Sequence, residues 1–340
     1  MTKRYNVAVV GATGAVGEAM LAGLIERKFP VDHVYAIASE RSVGKTVEFG
    51  RDTLDVLDIA TFDFTDIDLA LFSAGNAVSE QYAPIAAAHN CVVIDNSSFF
   101  RYDADIPLVI PEVNPERIAD YTRQGIIANP NCSTIQMLVA LKPLHDAVGI
   151  TRINVATYQS VSGTGKEAIS ELIDQLGQLL NGRPIKPGVY PQQIAFNVLP
   201  HIDEFQENGY TREEMKMVWE THKILGDESI LVNPTAVRVP VLYGHSEAIH
   251  VEFKSPLSAA DAKRLLKKAP GVVVVDDPSK QKYPTVISHA TGHDDVFVGR
   301  IRQDISHPNG LDLWVVADNI RKGAATNAIQ IAEILCRDYL

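Results

Sequence analysis

Residues 6–17 read Asn6-Val-Ala-Val-Val-Gly11-Ala-Thr13-Gly14-Ala15-Val16-Gly17, an apolar run of strand length that enters three glycines and then an amphipathic stretch from Ala15 to Lys28. A strand, a glycine turn and a helix in that order are what a dinucleotide fingerprint requires, although the spacing is GxxGxxG rather than GxGxxG. Glycines let the backbone come close to a pyrophosphate. The helix start adds unpaired N–H groups and the positive end of a dipole. The alternative is a tight strand-to-helix turn that binds nothing.

The same rhythm continues outward. HVYAIAS, DLALFSAG and CVVIDNSS read as buried strands, with AVSEQYAPIAAAHN between the last two as a helix, which is the βαβ pattern of a parallel sheet covered on both faces. The expectation is an α/β protein whose N-terminal domain is doubly wound and Rossmann-type. After GIIANPNCS the pattern changes. ALKPLHDAV ends one helix, INVATYQSVSG is a strand entering a glycine-rich loop, and KEAISELIDQLGQLL is a helix with an apolar face. AVRVPVLYGHSEAIHVEF, VFVGRIRQD and LDLWVVADN alternate as a mostly antiparallel sheet would, and SAADAKRLLKKA reads as a helix across one face. Residues 181–236, rich in Pro, Gly and charge, give no clear period. The division expected is 1–131 for a nucleotide domain, completed by the C-terminal helix 322–340, and 132–321 for an α+β catalytic and dimerisation domain.

The 340 residues exceed one ordinary domain, and 46% apolar with 21% charged residues is the composition of a soluble globular protein. A net charge of -11 argues against nucleic acid as a partner. No apolar run reaches the roughly 20 residues of a membrane span. The start MTKRYNVAVVG carries no cleavage-site pattern, so a cytoplasmic location is expected. Three cysteines without metal-like spacing indicate neither disulfides nor a metal site.

Asn129-Pro-Asn131-Cys132-Ser133-Thr134 precedes a helical run and so puts Cys132 at a helix N-terminus, where thiolate is favoured. A lowering of about 1.5 units from a thiol pKa of about 8.5, near 2 kcal/mol, makes thiolate the major form at neutral pH. Cys91, opening a strand, and Cys336, on a helix face, read as buried small hydrophobes. Arg238 and His245 lie seven apart in Arg238-Val-Pro-Val-Leu-Tyr-Gly244-His245, an odd spacing that points them to opposite faces unless Gly244 breaks the strand. Glu213 and Lys216, three apart in REEMKM, share a helix face, either around one ligand or as a surface ion pair. The second strand ends in Ser39-Glu40-Arg41-Ser42. Arg41 and Ser42 there either hold a ribose 2′-phosphate, which favours NADP over NAD, or are solvated loop residues, and Glu40 sits awkwardly with the first reading.

These motifs in order, GATGAVG, SAGN, DNSSFFR, PEVN, NPNCST, YQSVSGTGK, EEMKM, RVPVLYGHSE and DNIRKGAA, make the chain resemble the aspartate-β-semialdehyde dehydrogenases over essentially its whole length. The 180–210 stretch fits that family loosely. The resemblance implies NADPH-dependent reductive dephosphorylation of L-4-aspartyl phosphate to L-aspartate 4-semialdehyde, on the route to lysine, threonine and methionine. It implies that Cys132 forms an acyl thioester, that His245 is the acid/base partner, and that Gln159 positions substrate and intermediate. Arg238 would clamp the substrate carboxylate, a task suited to a bidentate guanidinium, and Glu213 would face its ammonium. Arg101, Lys216 and Asn131 would hold inorganic phosphate. Gly11, Thr13, Gly14, Ala15, Val16, Arg41, Ser42, Ser162, Gly163 and Asn319 match the family's cofactor contacts, and the family works as a homodimer. The rivals are a sibling thioester-forming reductase such as N-acetyl-glutamyl-phosphate reductase or phosphorylating glyceraldehyde phosphate dehydrogenase, a catalytically silent paralogue, and a cysteine hydrolase.

Overall fold

A computed structural model describes residues 3–340 and divides them into two compact units, 1–131 with 324–340 and 132–323. In the first, β1 (Tyr5–Val10), α1 (Ala15–Glu26), β2 (Val31–Ala38), β3 (Thr46–Phe49), β4 (Asp52–Asp58), β5 (Leu69–Phe72), α2 (Asn76–Ala88), β6 (Val92–Asp95) and β7 (Ile126–Ala128) follow one another. The sheet order is β3-β4-β2-β1-β5-β6-β7, and every pair except β3 with β4 is parallel. β1 therefore stands at the switch point, with β2 on one side and β5 on the other, and the crevice beyond the carboxyl ends of such strands is where doubly wound sheets take ligands. The strands read as continuous apolar runs because both faces are covered. Val7, Val9, Leu69, Leu71 and Ile94 are buried against Met20, Leu21 and Leu24 of α1.

The second unit opens with α3 (Cys132–Val148), then β8 (Ile150–Gln159), α4 (Lys166–Leu180), α5 (Arg212–Leu225), β9 (Leu231–Arg238), β10 (His245–Phe253), α6 (Ala259–Leu266), β11 (Val272–Val274), β12 (Val296–Gln303) and β13 (Gly310–Ala317). The sheet is mixed, in the order β11-β12-β13-β10-β8-β9. Three pairs are antiparallel, and β8 with β9 and β11 with β12 are parallel. The β8–β9 pairing has no signature in the aperiodic 181–236 region, where α5 supplies the crossover that a parallel pair needs. α7 (Thr326–Asp338) belongs to the first unit, where Ile329, Ile331 and Leu335 join the core. No helix among the described residues is long and apolar enough to cross a membrane.

One face of the second sheet is buried under α3. Ile153 and Val155 on β8, Ile249 and Val251 on β10, and Leu311 and Leu313 on β13 form an inward stripe of period two. Toward one end the stripe keeps its parity but turns polar, with Thr157 and Gln159 on β8 and His245 and Glu247 on β10, all buried. α3 is buried from Ser133 to Leu141. α5 reaches β9 through a capping box: Thr211 Oγ1 accepts from Glu214 N–H at 3.3 Å, and Glu214 accepts in return from Thr211 N–H at 2.7 Å and from Ala236 N–H at 2.9 Å.

The cap and the buried acid each have a measurable effect on stability. Thr211→Ala removes the side-chain half of the cap on the helix that carries Glu213 and Lys216, so it should cost about 1 kcal/mol and lower Tm by about 2–4 °C; an unchanged melting curve would refute the cap's role. Glu247 is buried and its carboxyl is raised well above 4.5 by loss of hydration, with the Gln136 amide pulling the other way. In that range the native protein holds a proton that the unfolded chain has released, so stability falls as pH rises. The neutral isostere Glu247→Gln lacks that loss, and its stability relative to wild type should grow as pH rises above 4.5 in urea titrations. A pH-independent difference would count against a neutral Glu247.

Candidate active site

In the first unit the glycine turn has the shape its sequence requires. Gly11 has φ +88°, and a Cβ there would strike the Ser73 carbonyl; one at Gly17 would strike the Gly11 carbonyl. Gly11 and Ala12 N–H bond the Ile37 carbonyl at 2.8 and 3.1 Å, so the turn hangs on the carboxyl end of β2. Gly14 caps α1 and has no side chain of its own to bond the first-turn N–H groups. Thr13, Ala15 and Val16 are half-buried along the same turn. Arg41 and Ser42 form a short 3-10 turn just past β2. Arg41 is exposed and has no ion pair among the described residues, so its charge is available to an anion.

Arg101 is buried in this unit and donates from Nε to the Asn129 carbonyl at 2.9 Å and from Nη2 to the Asn96 carbonyl at 2.8 Å. Asn129 and Asn96 are joined through their own side chains at 2.9 Å, and Asn129 is held from Asn327 at 2.7 Å. The guanidinium is thus fixed to the segment that runs into Asn131, the last residue of this unit before Cys132.

The second unit collects the remaining side chains. Gln159 ends β8 and pairs in register with Arg238, which ends β9. On the other side of β8, Ser246 pairs with Tyr158, so His245, the first residue of β10, stands beside Gln159. Arg238, Gln159 and His245 therefore form a row across three adjacent strand ends. Where the sequence suggests one interrupted strand carrying Arg238 and His245, the structure has two strands with β8 between them. Gly244, at φ +84°, makes the turn into β10, and a Cβ there would strike the Val286 side chain.

Cys132 belongs to the same end of the sheet. Ala317, directly opposite His245, is followed by Asp318, whose carbonyl accepts from Gly323 N–H at 3.0 Å. The Cα of Gly323 in turn lies so near Cys132 that an added Cβ would come within 2.7 Å of the Cys132 Cβ. Cys132 is half-buried, whereas Cys91 is fully buried and Cys336 packs in the first unit's core. Burial pushes the Cys91 thiol far up and the Cys336 thiol up to about 12, so both are inert.

Around the row the charges are interlocked. Gln159 Nε2 donates to Thr157 Oγ1 at 3.2 Å and to Glu213 Oε1 at 3.1 Å. Lys216 Nζ donates to Glu213 Oε2 at 3.1 Å and to Asp203 at 2.7 Å. Glu213 and Lys216 thus form a shielded pair facing Gln159 rather than a surface pair, and Asp203, which lies in the aperiodic region, joins them. Arg238 Nη1 donates to the Ser160 carbonyl at 2.7 Å, while its buried Nε has no partner among the described residues. Asn319 Oδ1 accepts from Gly244 N–H at 2.9 Å and from the Ser160 and Ser162 hydroxyls, each at 3.1 Å. Gly163 lies over the row; a Cβ there would stand 3.0 Å from Arg238 Nη1 and 3.4 Å from His245 Nε2.

His245 is fully buried. Its Nδ1 accepts from Ser160 N–H at 3.1 Å, with the Ser160 hydroxyl at 3.2 Å, and its Nε2 has no partner among the described residues. Loss of hydration, then the Arg238 guanidinium, holds the ring down to about 3 against the opposing pull of Glu213, so the imidazole is neutral. Sequence reasoning misses Ser160. Its neighbours in YQSVSG stand out for other roles, and nothing in the spacing marks one backbone N–H as a partner for a distant ring.

Family models place the chain. One described as "Semialdehyde dehydrogenase, NAD binding domain" matches residues 6–121, and one described as "Semialdehyde dehydrogenase, dimerisation domain" matches residues 141–322. A curated aspartate-semialdehyde dehydrogenase of Legionella pneumophila is 71% identical over 340 residues, covering 100% of this chain and 98% of the relative. One from Bacillus subtilis is 49% identical over 98% of each. Among solved structures, aspartate semialdehyde dehydrogenase II of Vibrio cholerae complexed with ASA has a TM-score of 0.98 at 59% identity, covering 100% of both chains. The Candida albicans enzyme with NADP has a TM-score of 0.76 at 26% identity over 98% of each. With the strand register, the cysteine-led helix and these relatives in agreement, the chain belongs to the aspartate-semialdehyde dehydrogenase family.

Proposed function

We propose that the chain catalyses the phosphate-dependent, reversible conversion of L-4-aspartyl phosphate to L-aspartate 4-semialdehyde with NADPH, through an acyl thioester on Cys132. The observation that carries this reading is the row Arg238, Gln159 and His245 at the sheet end where α3 presents Cys132.

The parts fit an amino-acid acyl group. The unpartnered Arg238 Nε and the rest of its fork address a carboxylate, and Glu213 addresses an ammonium about one side chain away, across Gln159. Cys132 Sγ attacks the acyl carbon as thiolate, favoured by the N-terminus of α3. The resemblance assigns the departing phosphate to Arg101, Asn131 and Lys216. A bound nicotinamide cofactor supplies hydride. The glycine turn would hold its pyrophosphate, the resemblance makes Ser162, Gly163 and Asn319 further cofactor contacts, and the uncompensated Arg41 with Ser42 favours the 2′-phosphate of NADP. That preference accords with the NADP in the Candida albicans neighbour.

A homodimer in the cytoplasm is part of the same reading. The sheet face opposite α3 carries Tyr158 and Trp314 in ring contact at 5.6 Å, beside Ala156 and Ala248, and these side chains are partly or fully exposed in the single chain. A second copy would cover them, as the matched dimerisation model supports. The product then enters the synthesis of lysine, threonine and methionine.

The deciding assay is reduction of NADP by purified protein with L-aspartate 4-semialdehyde, with and without phosphate, beside NAD. Activity should need phosphate, prefer NADP and fall by at least about a thousandfold in Cys132→Ala; equal turnover of N-acetylglutamate semialdehyde would hand the chain to a sibling reductase. Arg238→Lys keeps the charge and loses the fork. It should lower kcat/KM by roughly tenfold to a hundredfold, mostly through KM, and unchanged kinetics would remove Arg238 from the carboxylate site.

A further inference from the structure

The thioester reading gives no task to Glu247, which nevertheless stands one step from three groups that have one. It lies two residues beyond His245 on β10, and both side chains are buried on the inward face. Directly opposite it on β8 is Thr157, whose hydroxyl accepts from the Gln159 amide at 3.2 Å. Over β10 packs α3, and the α3 side chain that reaches the Glu247 carboxyl is Gln136. Gln136 comes four residues after Cys132, about one helical turn, and so lies on the same face of α3. The remaining neighbours are apolar: Val315 opposite on β13 and Ile249, the next inward residue of β10, are both buried.

Both oxygens of Glu247 and both polar atoms of the Gln136 amide are buried without a hydrogen bond among the described residues. The two groups are close all the same, since the amide favours the carboxylate against the loss of hydration that drives its pKa up. Buried polar atoms without partners are rare because each is costly, and these two side chains are complementary. A carboxylic acid offers O–H and C=O, a carboxamide N–H and C=O, so one acid and one amide close a ring of two hydrogen bonds. The terminal torsions of both side chains are soft, which lets them turn to meet.

We propose that Glu247 and Gln136 pair across the contact of α3 with β10 as positioning residues, fixing the place of Cys132 on its helix relative to His245 on its strand. This role rests on the thioester reading, in which nucleophile and acid/base partner must meet over one acyl group. Stability alone does not call for a polar pair here, because replacing both partners of a buried hydrogen bond by apolar groups of similar shape is close to neutral and at times favourable. What an apolar contact lacks is direction. Two facing leucines accept a range of helix positions on a sheet, whereas a two-bond pair accepts one. Catalytic groups need placement to within about 0.5 Å, and a misplacement of about 1 Å costs up to roughly a hundredfold in rate. Satisfied buried polar groups supply that kind of rigidity.

The deciding protein is the double variant Gln136→Leu with Glu247→Leu, which removes the pair and leaves similar volumes. Its Tm should stay within about 4 °C of wild type, while kcat for semialdehyde oxidation falls about tenfold to a hundredfold and KM changes by less than about twofold. Glu247→Gln keeps one donor and one acceptor at the same place, and should hold kcat to within about threefold of wild type. A folded double variant with wild-type kcat overturns the proposal, as does a loss in Glu247→Gln equal to that in the double variant. Crystal structures of wild type and double variant make the comparison without turnover. In wild type the facing atoms of Glu247 and Gln136 should stand about 2.7–3.2 Å apart, and in the double variant the separation of Cys132 Sγ from His245 Nε2 should change by more than about 0.5 Å. Glu247 and Gln136 unpaired in wild type, or that separation unchanged in the double variant, overturns the proposal. The crystals need neither substrate nor phosphate, so the pairing is measured even in a protein that fails the semialdehyde assay.

Discussion

The second unit's chemistry depends on a single carbonyl oxygen. Asn319 Oδ1 receives the Gly244 N–H and the Ser160 and Ser162 hydroxyls. It thereby ties the end of β13 to the turn before β10 and to the loop after β8. Without that acceptor the buried Gly244 N–H loses its partner, at a cost of about 1–3 kcal/mol, and the two serine hydroxyls are left to each other and to His245 Nδ1. More than stability is involved. The Gly244 bond sets where β10 begins and so places His245, and the Ser160 bond sets where a backbone N–H meets His245 Nδ1. The resemblance makes the same asparagine a cofactor contact. Its oxygen is already committed within the unit, so any cofactor contact it makes is through the rest of the side chain or the backbone.

What is legible in the sequence is local. The glycine turn is an instance, because a strand, a φ of +88° at Gly11 and a helix start are all encoded within a dozen residues. Cys132 at the start of α3 is another, as is the packing role of Cys91 and Cys336. Strand order is not legible. The seven-residue spacing of Arg238 and His245 looks like a problem of one strand with a break, and it is resolved by a β-strand roughly 80 residues earlier in the chain that inserts between them. Asp203 is hidden in a stretch with no period, and Ser160 acts through its backbone. One signal is present in the sequence but shows only once the strands are in register. Thr157, Gln159, His245 and Glu247 occupy inward positions of strands whose other inward residues are apolar, and polar residues at core parity are the mark of a site that trades stability for function.

Electrostatically the unit is self-contained. Lys216 is met by Glu213 and Asp203, and Glu213 by Lys216 and Gln159, so few full charges lie uncompensated in the interior, where an unpaired one would be prohibitive. Arg238 is the exception. One arm rests on the Ser160 carbonyl, its Nε is idle, and no carboxylate pairs with it in the described contacts. A buried guanidinium with an unused donor is a preorganised anion site.

Exclusion of water sorts the titratable groups of this chain into roles. It pushes the thiols of Cys91 and Cys336 up, out of reach of chemistry, whereas Cys132 stands half-buried at a helix start. It pushes the Glu247 carboxyl well above its ordinary value, which works against a negative charge at the polar end of the inward stripe. It also holds the His245 ring down to about 3, with the Arg238 guanidinium acting in the same direction, so the imidazole is neutral. Burial thus works against charge on both the acid and the histidine at the polar end of the stripe, and it leaves the Arg238 guanidinium, which no desolvation can neutralise, as the fixed charge of the row.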